Sequence, residues 1–270
     1  MKDNAVKERP IIFSGEMVCA TLDGRKTQTR RVIKPQPVFL GLKSLERGHW
    51  AYNVSCGGWE HVVPAPDGTY RANSNLLHCP YGQPGDRLWV RETWCHKWDK
   101  DGPVYNEDGD YDTSCLWYRA TTPDVVKMDE DFAEEYRKDG TPASPWIASI
   151  HMPLWASRID LEVPAVRVER VQDISEEDVL AEGVDLASWV NDGRTGEPLG
   201  PQTARFAQLW NSINAKPKPA AYVDGRPTIY FSAPWDEADR DPRKVIAGLP
   251  HVCYPNPWVW VIEFRIAPPR

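Results

Sequence analysis

The hydrophobic positions fall in short runs separated by polar or proline-rich stretches. Ile11-Ile12-Phe13 has the length and composition of a strand. After it, Met17, Val18, Thr21 and Leu22 recur at helical spacing over 15–23, and Gly24 is placed to close that helix. Arg87-Leu88-Trp89-Val90-Arg91-Glu92-Thr93-Trp94 alternates as a half-buried strand does, entered through a Pro84-Gly85-Asp86 turn. Two more runs of period two, Ile159 to Val163 and Val166 to Val171, are separated by Pro164, which reads as a break between strands. Ser175 is suited to cap a helix over 175–182, where Glu176, Glu177 and Asp178 meet the positive end of the dipole and Gly183 ends it. A further helix is expected over 206–213, and Trp258 to Phe264 reads as a closing strand.

Between these elements the periodicity fades. Residues 36–75 turn to glycine, proline, serine and aromatics, 99–112 and 121–140 are acidic and poor in apolar residues, and 216–249 is rich in proline. They read as excursions from a core, giving insertions at about 36–75, 99–145 and 215–255 in a single domain over 1–270. Short alternating strands with few helices imply an α+β fold: a small curled sheet with helices against its outside.

Composition narrows the function. With a net charge of -7, the chain as a whole does not attract nucleic acid, so any polyanion contact has to be local. Twenty-five prolines and 13 tryptophans suit a loop-rich enzyme or binding domain better than a helical bundle. The charged stretch Met1 to Pro10, and the lack of any apolar run as long as a signal segment or membrane span, lead us to expect a cytoplasmic protein with no membrane partner. Six cysteines without a CxxC pair argue for reduced, mostly buried thiols. His61, His78 with Cys79, and Cys95 with His96 are the residues from which a metal site would have to be built, but their spacing is not that of a ligand loop, and neither metal nor cofactor is expected.

The stretch Gly24-Arg25-Lys26-Thr27-Gln28-Thr29-Arg30-Arg31 carries the chemistry, because it sets a lysine three residues from a hydroxyl nucleophile amid three arginines. A lysine acts as a base once burial or neighbouring cations favour its neutral form, and such a segment suits a polar or anionic substrate. A solvated basic turn has the same composition. Arg30 and Arg31 are candidates to hold an anion, or plain surface charge. Glu92 faces either a site or solvent. Ser14 and Met17, just after the first strand, either line a pocket or pack. Aromatic side chains supply stacking partners for a base.

These segments together resemble the ASCH domain family: Ile11-Ile12-Phe13, Leu22, Gly24 to Arg30, the Gly85-Asp86 turn with its strand, Ile174 to Gly183, and Val261-Ile262-Glu263-Phe264. The chain as a whole is similar to the long members found in phages and prophages. The resemblance implies a β pseudo-barrel related to the PUA domain of RNA-modifying enzymes. Small bacterial members remove the acyl group from N4-acetylcytidine with a lysine, a threonine and a glutamate. Carried over, these are Lys26 as base, Thr29 as nucleophile and Glu182 as proton-transfer partner, with Ser14, Met17, Arg30 and Glu92 near the substrate. The implied partner is a small nucleoside or nucleobase. The alternative within the same resemblance is an RNA-binding module, with or without ribonuclease activity.

Overall fold

The computed structural model describes residues 6–37, 48–96, 98–99, 102–103, 109, 116–122, 146–184, 202–216, 218–223, 226–235 and 251–268. In chain order the strands are β1 (Glu8–Ile12), β2 (Gln28–Val32), β3 (His49–Asn53), β4 (Gly58–Pro64), β5 (Tyr70–Ala72), β6 (Arg87–Arg91), β7 (Trp94–His96), β8 (Trp98–Asp99), β9 (Gly102–Pro103), β10 (Leu116–Tyr118), β11 (Asp160–Arg170), β12 (Lys218–Val223), β13 (Arg226–Ser232), β14 (His251–Cys253) and β15 (Trp258–Ile266). The helices are α1 (Gly15–Leu22), α2 (Glu176–Ala181) and α3 (Gln202–Asn214). The fold is α+β, mostly strand, and the sheets among the described residues are open. The chain divides into two compact units, 1–26 with 81–164 and 264–270, and 27–80 with 165–263.

In the first unit the strand order is β1-β6-β11. β1 runs parallel to β6, with Ile11 opposite Val90, and β6 is antiparallel to β11, with Leu88 opposite Leu161. β6 lies between β1 and β11, and Leu88, Trp89 and Val90 are all buried, so side chains on both of its faces are covered. The half-buried alternation expected over 87–94 is corrected accordingly. β6 also stops at Arg91, and Trp94 starts a separate strand paired with β10. Ser14 caps α1 by accepting a hydrogen bond from Met17 N at 3.3 Å, and Val18, Ala20 and Thr21 form its buried face. Leu22, expected on that face, is exposed.

In the second unit the order is β11-β15-β2. Ser175 caps α2 as expected, its Oγ accepting from Asp178 N at 3.1 Å, and Gly183 follows with a left-handed φ of 76°. α3 starts four residues earlier than the expected 206. One core joins Val171, Ile174, Val179, Phe206, Trp210, Val259 and Val261, so α2 and α3 cover the face of β2 and β15 that Val32 also occupies. Trp210 satisfies its indole by donating to Ala233 O at 2.8 Å.

Pro164 does not end a strand. β11 runs through it for 11 residues, with the proline exposed. The buried positions are Leu161 and Val163 before it and Val166 and Val168 after it, so the alternation slips by one residue there. Two excursions hold order that the sequence did not suggest. Within 36–75, β3, β4 and β5 form an antiparallel meander, with Trp50 opposite His61 and Tyr52 opposite Trp59. Within 215–255, β12, β13 and β14 form a small sheet. The acidic tracts 99–112 and 121–140 fall mostly outside the described residues.

Candidate functional site

The first unit carries Ser14, Met17, Lys26 and Glu92. After α1, Gly24 takes a φ of 73°, and the amides of Arg25 and Lys26 both donate to Ala20 O at 2.9 Å. This tight exit sends Arg25 to solvent, where it pairs with Asp23 at 2.9 Å, and turns Lys26 inward. Lys26 is only 2% exposed, with Nζ 5.6 Å from the centroid of the Phe13 ring, which itself packs on Phe264 at 5.8 Å. The Ser14 hydroxyl serves the helix as its cap, and Met17 is half-buried with its carbonyl taken by Thr21 Oγ1 at 2.8 Å.

Glu92 does not face solvent, since it is 1% exposed. Arg158 clamps it with two hydrogen bonds, Nε to Oε1 at 2.8 Å and Nη2 to Oε2 at 3.0 Å, and lies 4.0 Å over the Tyr118 ring. Burial pushes the Tyr118 phenol up to about 12; Arg158 opposes that shift and Glu92 adds to it. Such a clamp is structural by its geometry. A cavity of about 280 Å³ in this unit is bordered by Arg87, Glu162, Pro164 and Arg265 and touches none of Ser14, Met17, Lys26 and Glu92.

The second unit carries Thr29, Arg30 and Glu182. Thr27 N donates to Ala181 O at 2.8 Å, which ties the start of β2 to the end of α2. β2 then pairs with β15: Gln28 opposite Glu263, Thr29 opposite Ile262, Arg30 opposite Val261 and Arg31 opposite Trp260. Strand alternation puts Gln28 and Arg30 on the helix-covered face and Thr29 with Arg31 on the other. Thr29 is 2% exposed.

The Arg30 side chain is wholly buried among carboxylates: Nη1 lies 3.2 Å from Glu182, and Nη2 lies 2.5 Å from Asp178 and 3.2 Å from Glu169. Expected at an anionic substrate, Arg30 gives both Nη groups to the protein's own carboxylates instead. Arg167 extends the network to Glu169, to Glu263, to Asp178 at 2.8 Å and to Gln28 Oε1 at 3.3 Å. Burial pushes the Asp178 carboxyl up, but hydrogen bonding from Gln28 and Arg30 and the charges of Arg30 and Arg167 outweigh it and hold it below the usual value. Burial pulls the Arg167 guanidinium down, and Glu169, Asp178 and Glu263 more than restore it.

No protein-family model, curated protein or solved structure matches this chain. The side chains themselves therefore carry the functional argument. Among the described residues no three His, Cys, Asp or Glu side chains are arranged to hold a metal ion. Cys95 is buried, which pushes its thiol up and disfavours the ligating thiolate, while His61 is buried against Trp50 at 5.6 Å. Cys115 lies outside the described residues.

Sequence reasoning missed Asp178, Arg167, Glu169 and Glu263. In the sequence Asp178 suits the helix dipole, Arg167 and Glu169 are polar positions of an alternating strand, and Glu263 lies in the closing strand. The available signal was that the alternating segment Val166 to Val171 carries charge at Arg167 and Glu169, and that the closing strand holds a single charged residue, Glu263, which lies opposite Gln28 on the face of β2 that Arg30 shares.

Proposed function

We propose that this chain is an amidohydrolase of the ASCH type that removes the acyl group from N4-acylated cytosine or its nucleosides, on a PUA-like pseudo-barrel core. The observation that carries the reading is the burial of Lys26 and Thr29, each 2% exposed, in a segment whose bland alternative was a solvated basic turn. A lysine and a threonine three residues apart, both withdrawn from water, suit base-assisted attack by a hydroxyl.

In this scheme the Thr29 Oγ–H bond breaks as Oγ bonds to the acyl carbon, and neutral Lys26 takes the proton. The C–N bond then breaks, and the exocyclic amine of cytosine leaves with a proton returned to it. Glu182 serves that proton transfer. Water attacks the acyl-Thr29 ester, releasing the carboxylic acid and restoring the hydroxyl.

The RNA-binding reading fits less well, since it needs the arginines of this segment to face phosphates. Arg30 is enclosed by carboxylates, and Arg25 pairs with Asp23. The test is cytidine release from N4-acetylcytidine by the purified protein. Thr29→Ala is expected to abolish it, and Lys26→Met to lower it by about 10²–10⁴-fold, the usual size of general-base catalysis. Wild-type turnover in both variants would remove the proposal. Gel shifts with RNA across a salt series read the competing function, because phosphate binding weakens steeply with salt.

A further inference from the structure

The cavity of the first unit has two guanidinium groups and one carboxylate on its wall: Arg87 on β6, Glu162 on β11 and Arg265 on β15. Glu162 stands opposite Arg87 in the β6–β11 register, and Ala267 N donates to Asp160 O at 2.8 Å, which brings Arg265 to the other side of Glu162. The two arginines share that carboxylate unequally. Arg265 holds Oε2 with Nε at 2.9 Å and Nη2 at 2.8 Å, whereas Arg87 reaches Oε1 only through Nη2, at 3.5 Å, the outer limit of a hydrogen bond. Among the described residues the Arg87 guanidinium makes no other hydrogen bond. Its side chain is 33% exposed, partly withdrawn from water yet within reach of a ligand.

We propose that this cavity binds a small organic monocarboxylate, with Arg87 gripping the anion and Val163 and Pro164 receiving its short apolar body. The site is separate from the residues assigned to amide hydrolysis and does not depend on that reading. Charge sets the valence of the ligand. Two guanidinium groups against one carboxylate leave a surplus of one positive charge on the wall. Glu8, the acid opposite Arg87 on β1, lies outside that wall. A guanidinium presents a planar fork that gives two parallel charge-assisted bonds to a carboxylate, and most of the Arg87 fork is unused. Val6, Val163 and Pro164 supply an apolar wall, which an organic acid covers and a bare inorganic anion leaves uncovered. A volume of about 280 Å³ matches an acid of a few carbons. Glu162 adds selectivity, because its charge repels a second negative charge and so disfavours dianions.

The test is a titration of the full chain with sodium butyrate at constant ionic strength, followed by the amide NMR shifts of Gly85, Arg87 and Val163. These shifts are expected to saturate with a Kd on the order of 1 mM, weak because so few ligand atoms share the cost of association. Shifts that are absent or never saturate overturn the proposal. Arg87→Met is expected to weaken butyrate binding about tenfold or more, and Arg87→Lys, which keeps the charge and loses the fork, about fivefold. Wild-type affinity in Arg87→Met overturns the assignment of Arg87. A parallel titration with inorganic phosphate separates the ligand classes: binding as tight as that of butyrate overturns the monocarboxylate reading. Glu162→Gln removes the anion that competes for Arg87, and it is expected to tighten butyrate about threefold, a gain that a misfolded variant cannot produce. Weaker binding in that variant overturns the part given to Glu162.

Discussion

The Glu92–Arg158 clamp allows an asymmetric prediction. Glu92 has a side chain 2% exposed, whereas Arg158 is 25% exposed, so the two partners depend on each other unequally. In Arg158→Met the carboxylate is left in a site that water does not reach, and breaking a buried pair this way costs about 3–5 kcal/mol. In Glu92→Gln the stranded group is a guanidinium that still lies over Tyr118, still bonds Thr121 Oγ1 at 3.1 Å and can rehydrate its open side. That loss is one charge-assisted bond replaced by a weaker one, about 1.5–2 kcal/mol. The first substitution should therefore cost more than the second by about 2 kcal/mol. Urea unfolding followed by tryptophan fluorescence, with midpoints compared at unchanged slope, measures both. Equal losses, or a larger loss for Glu92→Gln, would refute the argument that depth of burial sets which partner needs the other.

Three further outcomes follow from other parts of the molecule. The Asp178 carboxyl has a folded value below its unfolded one, so its contribution to stability is present above the ordinary carboxylate value of about 3.9 and is lost as pH falls through the depressed folded value. The acid dependence of the urea midpoint should flatten in Asp178→Asn, and an unchanged dependence would contradict the assignment. Gly82→Ala should destabilise by about 3 kcal/mol, since φ is 107° and a Cβ would come 2.9 Å from Asp86 Oδ2, disturbing the carboxylate that accepts from Lys7 N and Gln83 N; thermal melting that shows no loss would be inconsistent with this. A thiol-alkylating probe should label exposed Cys56 well before buried Cys95, whose thiol is pushed up by burial, and mass spectrometry showing the reverse order would contradict the burial described.

Local signals were legible where one residue decides one turn. Ser175 caps its helix, Gly24 and Gly183 follow theirs in left-handed geometry, and Gly85 sits in the expected turn with a φ of 96°, whereas Ser14, expected to line a pocket or pack, caps α1. What depended on partners was less so. The 87–94 run looked half-buried because its alternation cannot reveal that both faces of β6 are covered by the rest of the chain. The β3–β5 meander escaped notice because its aromatics pair across strands, Trp50 with His61 and Tyr52 with Trp59, and not along one. At the candidate site, Lys26 and Thr29 were named from their spacing, and their burial was not visible in it. Arg30 was assigned outward to an anion, since the carboxylates that enclose it come from β11 and α2, more than 130 positions downstream by the numbering of Glu169, Asp178 and Glu182.

The slip at Pro164 makes that position of β11 a place where a residue can be lost without exchanging the two sides of the strand. Removing it would bring Leu161, Val163, Val166 and Val168 into one unbroken alternation, with Arg167 and Glu169 still on the other side. Elsewhere in the strand a one-codon deletion would force charged groups among packed methyl groups, and it should be among the least tolerated changes in the chain.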